Sequence, residues 1–160
     1  MNIDEQDILF LKRAIQLAEE KSSDGQHGPF GAVIVKEGRI LAEGWNQVVA
    51  TQDPTAHAEV VAIRQACRMI GTWKLTGCTL YASCEPCPMC LAAVYWARIE
   101  RVVYAADRRD AAAAGFDDEQ LYQELRIPPA ERSLPMRQAL QEEGRKVLAK
   151  WVENPERIPY

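Results

Sequence analysis

The sequence predicts an α/β domain of three layers, with helices on both faces of a mixed β-sheet. A β-hairpin in the first third of the chain is followed by strand–helix units, and this order produces an α/β/α arrangement. With 160 residues, the chain fits one domain, 1–160, and can bury a core without disulfides. Its 48% hydrophobic and 26% charged residues are typical of a globular protein.

Hydrophobic periodicity and turn residues define the individual elements. Ile8, Leu11 and Ile15 recur at spacings of three and four, which predicts an amphipathic helix. An apolar, β-branched run interrupted by Glu37-Gly38 predicts a hairpin. The predicted elements are, in order, a helix at 4–21, strands at 30–35 and 39–48, a helix at 56–70, a strand at 78–82, a helix that follows Cys87 and ends at Arg98, a strand at 101–106, and helices at 119–125 and 141–153.

Two predicted helices begin beside residues that can bind a metal. His57 and Glu59 fall in the first turn of one helix, where residues two apart point about 200° away from each other. They can therefore address one pocket only if that pocket lies over the end of the helix. Prolines flank Cys87 and start the other helix, and Cys90 returns to the same side three residues later.

His57, Cys87 and Cys90 together supply one imidazole and two thiolates. Three such ligands suit a tetrahedral zinc whose fourth position stays open for water, as in catalytic sites. Glu59 is then placed to exchange protons with that water. A structural zinc would need Cys84 as a fourth ligand, and a redox Cys-x-x-Cys pair would not use the histidine. Neither alternative explains the position of Glu59. We therefore expect Cys84 to be a buried neighbour of the zinc site and not a ligand.

Charge and cysteine content restrict the partners and the compartment. The formal net charge is −4 and the isoelectric point is about 5.3, which favours a small uncharged substrate over a nucleic acid. No apolar run is long enough to span a membrane, and the acidic start does not resemble a secretory signal. Five cysteines, an odd number, suit a reducing cytoplasm better than a disulfide framework.

Four further residues have an ordinary structural explanation when only their neighbours in the sequence are considered. Asn46 is typical of a turn, and Asp118 is typical of a helix N-cap. His27 lies in a polar loop, where a solvent-exposed histidine is the usual outcome, although it could approach the pocket. Tyr160 ends the chain, and terminal residues usually fray. The pattern alone therefore assigns none of these four to a binding site.

The two metal-ligand segments resemble those of the cytidine deaminase-like superfamily. The resemblance rests on Asp53-Pro54-Thr55-Ala56-His57-Ala58-Glu59 and on Ser83-Cys84-Glu85-Pro86-Cys87-Pro88-Met89-Cys90, and it extends over nearly the whole chain. Within that superfamily, Gly28–Val33, Tyr95–Arg98 and Ala114–Asp118 resemble the bacterial guanine deaminases. The segment 24–27 departs from the group, because it is more polar than the expected glycine-rich equivalent.

The resemblance implies a three-layer α/β/α cytidine deaminase-like fold with a mixed five-stranded sheet. Residues 134–140 are compatible with an edge strand or a helix. The implied activity is zinc-dependent hydrolytic deamination of guanine to xanthine and ammonia, with one zinc ion per subunit. The nearest alternative is a tRNA adenosine deaminase that acts at the anticodon wobble position, and a non-enzymatic structural zinc module is a more distant one.

The same resemblance implies roles for individual residues and an assembly. Glu59 and Asp118 would be catalytic, and His57, Cys87 and Cys90 would bind zinc. The implied substrate-binding residues are Asn46, Phe30, Ala58, Trp96 and Tyr160. The implied assembly is a homodimer in which Trp96 reaches the site from the second subunit and the segment 141–160 is exchanged between protomers.

Overall fold

The computed structural model describes residues 2–159, which divide into two compact units at Leu121. The first unit contains the whole sheet. The second unit, from Tyr122 onward, contains most of α6, a short 3₁₀ helix (Pro129–Glu131) and α7. The helices are α1 (Glu5–Ser22), α2 (Val48–Thr51), α3 (Ala58–Ile70), α4 (Pro88–Trp96), α5 (Arg108–Ala113), α6 (Glu119–Arg126) and α7 (Gln141–Glu153), and the strands are β1 (Gly31–Lys36), β2 (Arg39–Trp45), β3 (Cys78–Cys84) and β4 (Arg101–Ala106).

The sheet is mixed, as predicted, but it has four strands within residues 2–159, in the order β2-β1-β3-β4. β1 pairs antiparallel with both β2 and β3, and β3 pairs parallel with β4. The prediction of five strands is wrong, because residues 134–140 form no strand. Pro135 has no N–H to give to a ladder, so this segment is a poor candidate for pairing.

Alternation along β1 divides the core of the first unit into two clusters. Val33 and Val35 point to one face of the sheet, where they pack with Phe10 and Leu17 of α1. The intervening residues, such as Ile34, point to the opposite face and pack against α3 and α4. Helices therefore cover both faces of the sheet, and the predicted three-layer α/β/α arrangement is confirmed for this unit.

A buried carboxylate ties α1 to the edge strand β4. Asp7 is almost fully buried and accepts two hydrogen bonds from the guanidinium of Arg101, at 2.7 and 2.5 Å. The hydroxyl of Tyr81 donates to the same carboxylate at 2.8 Å. Arg101 therefore holds the pKa of Asp7 well below its usual range. Asp7 also completes a capping box with Asp4, the N-cap of α1.

Gly44 allows α3 to lie directly on β2. A Cβ atom at Gly44 would come within 2.2 Å of the carbonyl oxygen of Ala58 and 2.6 Å of the amide nitrogen of Ala62. Any side chain there would push the helix away from the sheet. The glycine thus fixes the position of the first turn of α3, which follows the N-cap His57.

Most element boundaries agree with the predicted ones, and two short helices were missed. β4 and α7 have the predicted bounds. α3 ends at Ile70, as predicted, and Gly71 caps it in the left-handed conformation (φ +69°). The helices α2 and α5 were not predicted. None of the helices within residues 2–159 has both the length and the apolar character needed to cross a membrane.

Candidate active site

The end of β3 and the start of α4 position the two cysteines. β3 ends at Cys84, and Pro86 and Pro88 then lead the chain into α4. Cys87 is the N-cap of that helix and Cys90 lies in its first turn, as the sequence predicted. Cys90 is fully buried, whereas Cys87 is only partly buried and lines a cavity.

The start of α3 brings the histidine to the same point. His57 is the N-cap of α3, with an extended backbone, and its carbonyl accepts the first bond of the helix from Val61. Its Nδ1 atom lies 3.5 Å from the Sγ atoms of both Cys87 and Cys90. The helices α3 and α4 therefore meet at their N-termini, whose partial positive charge favours anionic ligands.

This donor set fits a zinc ion. The ligand atoms of His57, Cys87 and Cys90 all lie within 4.8 Å of one another, a separation that one ion can bridge. Cys84 does not belong to the cluster. Its sulfur lies 3.6 Å from the carbonyl oxygen of Asp107, and burial raises the pKa of its thiol to about 11. Three ligands without a fourth are the arrangement of a catalytic zinc, so the expected role of Cys84 as a buried neighbour agrees with the structure.

The two ligand sulfurs shift each other's pKa in opposite directions. The hydrogen bond from Cys90, together with His57, lowers the pKa of Cys87 to about 4. The hydrogen bond to Cys87 and burial raise the pKa of Cys90. The hydrogen bond to Cys87 also raises the pKa of His57. Zinc held by these residues would bind both sulfurs as thiolates.

Glu59 is the buried acid of this site. Its carboxylate is 7% exposed and lines the cavity, and burial raises its pKa. Its Oε2 atom accepts from the Cys90 thiol at 3.3 Å. With zinc bound, Cys90 would carry no proton, and the same oxygen of Glu59 would be open to another donor. A carboxylate with a raised pKa beside a metal is the arrangement required for general acid–base catalysis.

A cavity of about 580 Å³ opens onto the metal-binding cluster. Phe30 and Phe116 form part of its wall, with ring centroids 4.9 Å apart in an edge-to-face contact. Such a wall suits a flat aromatic ligand. The polar residues that line the cavity are His27, Asn46, His57, Glu59, Glu85, Arg108, Asp117 and Asp118, together with Gln26 and Cys87.

Asn46 is held at the cavity wall by its own backbone and by a glycine. Its backbone amide donates to the carbonyl of Phe30 at 3.0 Å, and its Oδ1 accepts from the amide of Val48 at 3.2 Å. The local reading as a turn residue is therefore correct, but the side chain is also buried in the cavity wall. A Cβ atom at Gly28 would lie 3.1 Å from Asn46 Cγ, so this glycine allows the close packing.

Asp118 is not the side-chain cap of α6. Asp117 is the residue whose Oδ1 accepts from the amide of Glu119, at 3.0 Å. Asp118 lines the cavity, and burial raises its pKa, with the Cys87 thiolate adding to the effect. The carboxylate of Asp118 is thus directed to the same cavity as Glu59.

The structure brings together some of the predicted substrate residues and not others. Phe30 and Asn46 line the cavity, whereas Ala58 is buried at the start of α3 outside its lining, and Trp96 is exposed on α4. Tyr160 lies outside the described residues. Phe116 was not predicted as a lining residue, although it stands inside the Gly115–Asp118 stretch that carried the resemblance.

The sequence pattern of the cytidine and deoxycytidylate deaminase zinc-binding region matches residues 4–106. A guanine deaminase from Bacillus subtilis (strain 168) is 59% identical over 129 residues, which cover 81% of this chain and 83% of that protein. A tRNA-specific adenosine deaminase from the same organism is 46% identical over 101 residues, 63% of this chain and 62% of that protein.

Solved structures show the same similarity to guanine deaminases. The X-ray structure of guanine deaminase from Bacillus subtilis has a TM-score of 0.93 and 51% identity, covering 100% of this chain and 99% of that one. A guanine deaminase from Nitrosomonas europaea has a TM-score of 0.66 and 30% identity, covering 72% of this chain and 67% of that one. The matched region contains both helix ends that carry His57, Cys87 and Cys90. The chain therefore belongs to the cytidine and deoxycytidylate deaminase zinc-binding family.

Proposed function

We propose that this protein is a guanine deaminase, which hydrolyses the C2–amino bond of guanine and releases xanthine and ammonia. The observation that carries the proposal is the match to Bacillus subtilis guanine deaminase, 59% identical over most of both chains, together with the zinc-ligand cluster at the cavity. The reaction consumes one water, whose oxygen becomes the new carbonyl of xanthine. The protein must therefore activate water and protonate the leaving amine.

The residues at the α3 and α4 ends meet the first of these two requirements, the activation of water. Zinc, when bound by His57, Cys87 and Cys90, lowers the pKa of a water and so supplies hydroxide near neutral pH. Glu59 accepts the proton that the water loses and returns it to the purine ring. Its buried position and raised pKa suit a group that must carry a proton during part of the cycle.

The rest of the cavity holds and orients the base. Phe30 and Phe116 supply an aromatic wall for the purine, and His57 faces the same space. Asn46 offers both a donor and an acceptor to the edge of the base. Asp118 accepts from the amino group and helps to pass to it the proton of the hydroxyl added at C2, so that the carbonyl forms and the amine leaves as ammonia; its position in the cavity supports this role. Ala58 and Tyr160 remain proposed substrate contacts, with Tyr160 closing the cavity.

The charge of the cavity argues against tRNA, the alternative substrate. Its described lining contains four carboxylates, those of Glu59, Glu85, Asp117 and Asp118, and one guanidinium, that of Arg108. The whole chain has a net charge of −4. Binding of RNA draws much of its free energy from cations placed against phosphates, and this surface offers few. A neutral free base carries no phosphate for these carboxylates to repel.

We further propose a homodimer and a cytoplasmic location. The exposed face of α4 carries Leu91, Tyr95 and Trp96, with Tyr95 and Trp96 70% and 61% exposed. Such a row of large apolar side chains supports burial against a second subunit, from which Trp96 would reach the partner's site. The segment 141–160 is proposed to be exchanged between protomers, and its helix α7 exposes Val147, Leu148 and Val152. All five cysteines are free, which suits a reducing compartment.

An ammonia-release assay on a panel of substrates tests the proposed function. The zinc-loaded protein should release ammonia from guanine and not from a tRNA anticodon stem, adenine or cytosine. A Glu59→Ala variant with full zinc content serves as the control for contaminating deaminases. Activity on tRNA without activity on guanine would reverse the assignment. Light scattering of wild type and Trp96→Ala tests the dimer, which predicts twice the mass of 18.0 kDa for wild type.

A further inference from the structure

His27 lies on the wall of the cavity that His57 and Glu59 also line. Its side chain is 19% exposed, although residues 23–26 just before it are exposed. The sequence favoured a solvent-exposed loop histidine, and the structure instead places this ring between loop and cavity. Neither the zinc cluster nor the proposed acid–base step uses it.

Asp24 fixes the orientation of the His27 ring. The Oδ1 atom of Asp24 accepts from the amide of Gln26 at 2.8 Å and lies 3.3 Å from His27 Nδ1. A carboxylate can only accept, so the proton of a neutral ring is placed on Nδ1. The other ring nitrogen, Nε2, is then a hydrogen-bond acceptor.

The loop that carries His27 is tied to the substrate end of the cavity. Gly28 packs against the side chain of Asn46, and its carbonyl accepts from the amide of Phe30 at 2.8 Å. Gly25 and Gln26 line the cavity and are exposed, so this loop lies on the solvent side of the cavity. Glu59, by contrast, is buried at the metal-binding end.

A purine whose C2 faces the buried end directs its five-membered ring toward the solvent side. That ring carries an N–H in the free base, and in a nucleoside or a 9-alkylated base the N–H is absent. We propose that His27 is a specificity-determining residue that accepts a hydrogen bond from this N–H through Nε2 and so favours the free base. The inference rests on the proposed function, and Asp24 acts in it as a positioning residue.

Binding of the product to zinc-loaded protein tests the inference without depending on turnover. Calorimetry compares xanthine with 9-methylxanthine, and ammonia release compares guanine with 9-methylguanine. His27→Ala should lower the preference for the unmethylated base about fivefold, the size of one neutral hydrogen bond, and act on KM more than on kcat. His27→Gln keeps an acceptor near the position of Nε2 and should restore most of the preference. Asp24→Asn should give an intermediate loss.

Ser23→Ala, an exposed change in the same loop outside the cavity lining, is the matched control and should leave the preference unchanged. An unchanged preference in His27→Ala, or an equal loss on methylated and unmethylated bases, would overturn the role of His27 while guanine turnover stands. A wild-type protein that neither deaminates guanine nor binds xanthine would instead overturn the proposed function, and this inference with it.

Discussion

The two ends of the cavity are built in different ways. At the metal-binding end, His57, Cys87 and Cys90 lie on the first turns of two helices that pack against the sheet and against each other. At the substrate end, Asn46 and Asp118 come from connections between elements. The helix ends carry the metal ligands and so determine the reaction, whereas the connections determine which substrate is bound. Changes at the first end should abolish turnover, and changes at the second should alter selectivity.

The largest effect is expected from removing a metal ligand. Cys87→Ala should lose bound zinc and reduce guanine deamination to background, because two ligands do not hold the ion in a catalytic geometry. Metal analysis by mass spectrometry and ammonia release measure the two consequences. Cys84→Ala is the matched control and should keep its zinc, since its sulfur lies outside the ligand cluster. Zinc loss in Cys84→Ala would make the site a closed, structural one.

The second-largest effect is expected from a substitution that impairs catalysis without impairing metal binding. Glu59→Gln should retain zinc and the fold but lose at least about 10²-fold in kcat, the low end for general acid–base catalysis. Glutamine keeps the shape of the buried side chain and cannot carry the proton. Zinc content and kcat are measured on one preparation. A variant that also loses zinc would show that Glu59 supports the metal site itself.

The metal-binding end could be predicted from the sequence because its signals are local. The spacings of Cys87 with Cys90 and of His57 with Glu59 indicate a metal site, and the prolines around Cys87 indicate a helix start. The structure confirms the start after Cys87 and begins α3 two residues later than predicted, with His57 as its N-cap. Helix α5 carried a local signal too, since Asp107 and Asp110 form a capping box. Its alanine run adds to that signal, because alanine is the best helix former.

The substrate end could not be predicted in the same way, because it depends on contacts between distant parts of the chain. Nothing near Asn46 indicates that Gly28 packs on its side chain, or that Phe116 meets Phe30 at 4.9 Å. The choice between Asp117 and Asp118 as the α6 cap also required coordinates. The predicted fifth strand failed for a related reason, since a strand at 134–140 needs a partner that no local pattern specifies.

Substitution of two adjacent aspartates tests the substrate end of the cavity. Asp118→Asn should lower kcat/KM for guanine by about 10- to 100-fold, as expected for loss of a hydrogen bond to a charged group. Asp117→Ala should mainly weaken the start of α6, by about 1 kcal/mol of unfolding free energy, because it removes the oxygen that accepts from the amide of Glu119. Steady-state kinetics and urea unfolding separate the two effects. The opposite ranking in kcat/KM would assign the substrate contact to Asp117.

The smallest effect is expected where the loop touches Asn46. Gly28→Ala places a methyl group 3.1 Å from Asn46 Cγ, so the amide must shift by a few tenths of an ångström. Because the amide is proposed to bind the edge of the base, the change should raise KM for guanine about threefold and leave kcat and zinc content near wild type. Gly144→Ala is the matched control: an added methyl meets nothing within 4 Å there, and alanine in place of this glycine near the start of α7 should raise the unfolding free energy by about 0.5 kcal/mol. Equal KM values for the two variants would show that Asn46 tolerates the shift and that the loop does not set its position. A fall in kcat with Gly28→Ala would instead mean that the two ends of the cavity are coupled.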